Sequence, residues 1–142
     1  SYRLVGSEMC IRDRSISTSI KKIVKEAMTS VDSISVQDAK SLVGNDKYQF
    51  VDVRERSEQQ KVGVIPGAIL SSRGMIEFHI DPDSPLHKSD FSQDTTYIFY
   101  CASGARSALA AVAAKDMGLK PVINLAGGIS EWIKNNGSIT DT

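Results

Sequence analysis

A cysteine, a glycine, an arginine and a serine lie within seven residues of each other, from Cys101 to Ser107. The segment 97–100 before them is apolar and aromatic, which predicts a strand buried on both faces. The segment after them is rich in alanine and carries apolar residues at helical spacing. Cys101 is therefore predicted to lie where a parallel strand ends and a helix begins, the position at which open α/β sheets bind ligands.

This position favours the reactive form of a thiol. The first N–H groups of a helix have no partner within the helix, and the helix dipole adds positive character there. Arg106 adds a full positive charge, so we expect the pKa of Cys101 to be lowered. Gly104 allows a tight turn, and Ser107 is predicted to cap the helix. The alternative is that Cys101 is a small buried hydrophobic residue.

The run from Cys101 to Ser107 resembles the active-site loop of the rhodanese-like sulfurtransferases. Segments 50–55, 63–68 and 125–132 resemble three further motifs of that family, in the same order. The resemblance implies a single rhodanese-like domain in which Cys101 carries a sulfane sulfur as a persulfide. Two positions depart from many relatives: Val64 stands where they have histidine, and Ala105 stands where they have a bulky aromatic residue.

The resemblance also implies roles for individual residues. Cys101 and Arg106 would be catalytic, and Asp52 and Arg54 would support the fold. The loop that binds the substrate and the persulfide would consist of Ala102, Ser103, Gly104, Ala105 and Ser107. No metal and no organic cofactor is expected.

The implied function is transfer of a sulfane sulfur from thiosulfate or a similar small donor to a thiol or a cyanide-like acceptor. A sulfur-accepting protein is a further candidate acceptor. One alternative is a rhodanese-like sulfur carrier or binding module without enzymatic activity. A phosphatase or arsenate reductase is less favoured, because those enzymes place one more residue between cysteine and arginine than the four found here.

Composition excludes several other functions. The 142 residues contain 17 basic and 17 acidic side chains, so no strong field favours nucleic acid or an anionic membrane. No apolar run is long enough to span a bilayer. A free catalytic thiol is best kept in a reducing compartment, which predicts a cytoplasmic location.

The chain is expected to form one domain with short additions at its ends. Residues 1–15 are predicted to be an artefactual or disordered tail, because segment 7–14 resembles a peptide translated from sequencing-adapter DNA. Residues 16–33 are predicted to contain an amphipathic helix, residues 34–137 the rhodanese-like domain, and residues 138–142 a polar tail.

The alternation of strand and helix patterns predicts an α/β fold. Its sheet should have about five strands, mostly parallel, with helices on both faces. The predicted strands are segments 34–36, 48–53, 68–70, 95–100 and 121–125. A short helix over 57–62 should follow the second strand, with Ser57 as its cap and Gln60 at the capping-box position.

Overall fold

The computed structural model of the protein describes residues 16–142. The predicted artefactual or disordered tail lies outside the described residues. The first described helix, α1, spans Ile20–Ser30, and the hydroxyl of Ser19 accepts a hydrogen bond from the amide of Lys22 at its start. Within the described part, every helix is too short or too polar to cross a membrane.

Five strands form one sheet: β1 Asp32–Ile34, β2 Tyr48–Asp52, β3 Ile69–Leu70, β4 Thr96–Tyr100 and β5 Val122–Leu125. Their order across the sheet is β1-β5-β4-β2-β3, and every pairing between them is parallel. The predicted five-stranded parallel sheet is therefore confirmed. Because β4 is the central strand, its carboxyl end lies in the middle of one sheet edge.

The helices that follow α1 are α2 Val36–Ala39, α3 Arg56–Val62, α4 Ile76–Ile80, α5 Ala105–Asp116 and α6 Gly128–Lys134. Two 3₁₀ turns, Lys40–Leu42 and Ser89–Ser92, complete the regular structure of the described chain. These elements cover both faces of the sheet, as the alternating sequence pattern predicted.

Alternation along β4 divides the interior into two cores. Phe99 and Cys101 belong to one core, together with the alanines of α5. Ile98 and Tyr100 belong to the other core, which α6 completes with Trp132. The side chain that follows β4 therefore lies on the same face of the sheet as α5.

The strand bounds differ from the prediction by one or two residues, and two helix starts differ in the residue that caps them. The first strand ends before Ser35, because the Ser35 hydroxyl accepts a hydrogen bond from the Asp38 amide and starts α2. The prediction that Ser57 caps the next helix was wrong. Glu55 is the N-cap of α3, and the carboxylate of Glu58 accepts the Glu55 amide at 3.0 Å. This pairing makes Glu58, instead of Gln60, the capping-box partner.

Asp52 and Arg54 form a fully buried ion pair at the end of β2. The Arg54 guanidinium donates to Asp52 at 2.7 Å and to the Gly63 carbonyl at 2.7 Å, and it lies over the Tyr100 ring. The Tyr100 hydroxyl accepts the Ile65 amide at 3.1 Å. The pair thus connects the end of β2, the turn after α3 and the central strand.

Candidate active site

Cys101 follows the last residue of β4, and its side chain is only 1% exposed. The chain turns sharply after it, and Gly104 adopts a φ of +107° at the N-cap of α5. A residue with a side chain would be strained in that conformation, so glycine is required for the turn. The sequence thus places the sulfur at the amino end of a twelve-residue helix, as predicted.

Two backbone amides point at the Cys101 sulfur. The Gly104 amide lies 3.1 Å from Sγ and the Ser107 amide lies 3.4 Å from it, and the Ser107 hydroxyl oxygen also lies 3.4 Å from Sγ. Burial alone would raise the pKa of the thiol. The hydrogen bonds from Ser107, Gly104 and Ser103 outweigh burial, so the pKa of Cys101 lies below its ordinary value. The arrangement therefore favours a thiolate, the nucleophilic form of cysteine.

Ser107 does not cap α5, in contrast to the prediction. Gly104 is the N-cap residue and makes no side-chain capping bond. The Ser107 hydroxyl instead faces Sγ and donates to Oδ1 of Asn124 at 2.6 Å. Ser107 is the third residue of α5, and its buried side chain faces the sulfur and Asn124 instead of the helix start.

Asn124 is a site residue that the sequence reasoning missed. It lies on β5, is 3% exposed and donates from Nδ2 to the Gly104 carbonyl at 3.1 Å. It therefore connects β5 to Gly104 at the end of the turn and to Ser107 in the first turn of α5. A lone asparagine in the apolar run of β5 was the available signal, because a buried amide needs partners.

The start of α6 supports the loop from behind. The amides of Ile129 and Ser130 donate to the carbonyls of Cys101 and Ala102 at 2.9 and 3.1 Å. Gly128 has a φ of +61°, and a Cβ there would lie 2.6 Å from both of those carbonyl oxygens. This close approach explains why the motif in segment 125–132 has glycine at position 128.

Arg106 is paired with a carboxylate that the sequence analysis did not single out. Its two terminal nitrogens donate to the two oxygens of Glu58 at 2.7 and 2.9 Å. The hydrogen bonds from Arg106 lower the pKa of Glu58 to about 2, and those to Glu58 raise the pKa of Arg106. Both groups are therefore charged at neutral pH. The helix that starts directly after β2 was the signal for Glu58, since its first turn borders the same sheet edge.

The predicted loop residues are all brought together at this edge. Arg54 and Asp52 lie on the adjoining strand end, but their hydrogen bonds run to each other and to Gly63 and not to the sulfur. Their predicted supporting role agrees with this placement and stays a prediction. The site thus consists of one polarised thiol, a turn of small residues and one arginine held by Glu58.

Comparison with known proteins places this geometry in a family. The family model for the rhodanese-like domain matches residues 35–135. A human thiosulfate:glutathione sulfurtransferase is 26% identical over 113 residues, which cover 75% of this chain and 97% of that protein. A sulfurtransferase of Allochromatium vinosum is 30% identical and aligns with 76% of this chain and 91% of its own.

One similar solved structure carries a different functional suggestion. The protein RPA3614 from Rhodopseudomonas palustris, of unknown function and described as a possible tyrosine phosphatase, is 43% identical. It superposes with a TM-score of 0.86 over 89% of this chain and 98% of that chain. Since the family model spans most of the described residues and the fold agrees with it, the chain belongs to the rhodanese-like domain family.

Proposed function

We propose that the protein is a sulfurtransferase that carries a sulfane sulfur on Cys101 as a persulfide. The observation that supports this most strongly is the pair of backbone amides, from Gly104 and Ser107, directed at Sγ. Hydrogen bonds to the charged form of a group favour that form. They stabilise Cys101 both as the attacking thiolate and as the leaving thiolate.

In the first step the Cys101 thiolate attacks the outer sulfur of a donor. With thiosulfate, a bond forms between Sγ and the outer sulfur, the sulfur–sulfur bond of thiosulfate breaks, and the electron pair leaves with sulfite. With an organic persulfide, the electron pair leaves with a thiolate, which then takes a proton. The product in both cases is a persulfide on Cys101.

In the second step a thiol or a cyanide-like acceptor attacks the outer sulfur of that persulfide. The bond between the two sulfurs of the enzyme persulfide breaks, and the electron pair returns to Cys101 as a thiolate. The donors from Gly104 and Ser107 stabilise the charge that develops there. This sequence of two covalent steps predicts ping-pong kinetics.

The other site residues have supporting parts in this proposal. Arg106 steadies the loop and contributes positive charge at the helix start. Asn124 fixes Gly104 and Ser107, and the small side chains of Ala102, Ser103 and Ala105 leave room for a donor. We propose a cytoplasmic setting with a small-molecule donor and a thiol acceptor, of which a sulfur-accepting protein is one form.

Two alternatives make different predictions. A sulfur carrier would hold the persulfide but release it only to a protein partner, without turnover on small thiols. A phosphatase is suggested by the description of RPA3614. The four-residue spacing between Cys101 and Arg106 gives a smaller cradle, and the Glu58 carboxylate beside it would repel a phosphoryl dianion.

Steady-state kinetics with two substrates separate these functions. We expect parallel double-reciprocal lines for thiosulfate with cyanide, measured as thiocyanate, and no release of p-nitrophenol from p-nitrophenyl phosphate. The Cys101→Ser variant should form no thiocyanate from thiosulfate and cyanide. Hydrolysis of the phosphate ester without sulfur transfer would overturn the proposal, and persulfide formation without turnover would indicate a carrier.

A further inference from the structure

The charge beside Cys101 is largely neutralised within the protein. The loop from Cys101 to Ser107 contains one charged side chain, Arg106. Both terminal nitrogens of that guanidinium donate to Glu58, which uses two of its N–H donors and pairs its charge with a carboxylate. The negative charge of Glu55, the N-cap residue of the same helix α3, also raises the pKa of Arg106.

Glu58 is held in place independently of Arg106. Its carboxylate accepts the Glu55 amide at 3.0 Å as part of the capping box of α3. A carboxylate fixed by its own helix cannot swing away without loss of that hydrogen bond. The pairing with Arg106 is therefore a built arrangement of two elements, α3 and α5, and not a chance contact of two mobile side chains.

We infer that Glu58 determines donor specificity by masking the charge of Arg106. The site would then favour sulfane-sulfur donors of low charge density, such as organic persulfides and thiosulfonates, over the thiosulfate dianion. This inference rests on the proposed sulfur transfer through Cys101. Glu58 acts through Arg106, so it is a positioning residue and not a catalytic one.

The expected preference follows from the attraction between the Arg106 charge and the charge of the donor. The side chains of Arg106 and Glu58 are 39% and 34% exposed, so solvent screens the charge of Arg106. A dianion nevertheless gains more from an unmasked arginine than a monoanion does, and a thiolate beside it gains as well. Removal of the carboxylate should therefore change the ratio between donors of different charge.

The test compares thiosulfate, a dianion, with methanethiosulfonate, a monoanion. Attack of the Cys101 thiolate on its outer sulfur breaks the sulfur–sulfur bond, gives the same persulfide and releases methanesulfinate. In Glu58→Gln we expect kcat/KM for thiosulfate to rise about threefold relative to methanethiosulfonate, the scale of a partly exposed charge pair. The pKa of Cys101, from alkylation rate against pH, should fall in the same variant. A purely structural role would lower both rates together and leave the thiol pKa unchanged.

Three variants serve as controls. Glu58→Asp keeps the charge and should leave the donor ratio near that of wild type. Glu26→Gln removes an exposed carboxylate from α1 and should change neither the ratio nor the thiol pKa. Addition of Arg106→Ala to Glu58→Gln should abolish the gain, because the gain requires the unmasked guanidinium.

A measurement on wild type covers the case in which Glu58→Gln does not fold. With the arginine masked, the rate of persulfide formation from thiosulfate should not fall as ionic strength rises, whereas a free cation would give a clear decrease. An unchanged donor ratio in folded Glu58→Gln, or a clear salt-dependent decrease in wild type, would overturn the inference. Absence of any persulfide on Cys101 would instead overturn the proposed function.

Discussion

Two arginine–carboxylate pairs lie near the carboxyl edge of the sheet, and their surroundings differ. Arg54 and Asp52 are 1% and 0% exposed, and Arg54 also bonds a backbone carbonyl and stacks on an aromatic ring. Arg106 and Glu58 are each more than 30% exposed and bond mainly to each other. The first pair is part of the folded core, and the second lies at the rim of the candidate site.

Because their burial differs, the two arginine–carboxylate pairs are expected to have different roles. A buried pair must stay complete, because an unpaired charge in the interior is costly. A partly exposed pair contributes little to stability, so its charges are free to influence a neighbouring reaction. We therefore expect substitutions in the first pair to affect folding and those in the second pair to affect the thiol.

The largest expected effect follows loss of Arg54. Arg54→Met leaves the Asp52 carboxylate buried without its partner, which should lower the free energy of unfolding by about 3–5 kcal/mol. Denaturant titration measures this loss. Arg73→Met is the matched control, since the Arg73–Glu77 pair is 35% and 44% exposed and should contribute less than about 1 kcal/mol. Similar losses for both variants would remove the distinction between buried and exposed pairs.

Loss of Arg106 should affect chemistry more than stability. Arg106→Ala leaves Glu58 as an unpaired negative charge near the sulfur, so the pKa of Cys101 should rise and turnover with thiosulfate should fall. Arg106→Lys keeps the charge but loses the forked geometry, and its effect should be intermediate. Alkylation rate against pH, with thermal melts alongside, measures both properties.

An Arg106→Ala protein with an unchanged thiol pKa and unchanged turnover would exclude Arg106 from the catalytic residues. Its free energy of unfolding should change by less than about 1 kcal/mol, as for other exposed ion pairs. A loss as large as that expected for Arg54→Met would mean that Arg106 holds the fold instead.

Acid sensitivity should be the smallest effect. The pKa of Glu58 is lowered from an ordinary 4.5 to about 2, so its pairing stabilises the folded state above about pH 4.5. This contribution is lost as the pH falls towards 2, and it is reduced by the exposure of the pair. The stability of Glu58→Gln should therefore depend less on pH over this window than that of wild type. Superimposable acid profiles would contradict the pairing.

The sequence predicted much of the fold because its signals were local and repeated. Alternating strand and helix patterns led to the parallel sheet, and the strand, glycine and alanine-rich run around Cys101 placed the thiol at a helix start. The predicted helix starts that were wrong lie where more than one neighbouring residue could cap the helix. Ser35 and Glu55 took roles that adjacent residues could equally have filled, and such choices depend on side-chain contacts that a linear pattern does not contain.

The parts of the site that were missed come from other elements. Asn124 reaches Ser107 from β5, and Glu58 reaches Arg106 from α3, across 17 and 48 residues of sequence. Glu58 is ordinary in a first helical turn, and Asn124 indicates only that a buried amide needs partners. The packing of the elements is needed to show what the two residues contact. Ser107 illustrates the same point. Its position in the sequence predicted that it would cap α5, but its hydroxyl donates to Asn124 instead.

Whether Cys101 carries the sulfur is tested most directly by the intact mass of the protein after exposure to thiosulfate or methanethiosulfonate. The chain has one other cysteine, Cys10. We predict that wild type and Cys10→Ser gain the mass of one sulfur atom, that a thiol acceptor then removes it, and that Cys101→Ser gains none. A sulfur adduct on Cys101→Ser, or none on wild type with either donor, would contradict the assignment of Cys101 as the sulfur-carrying residue.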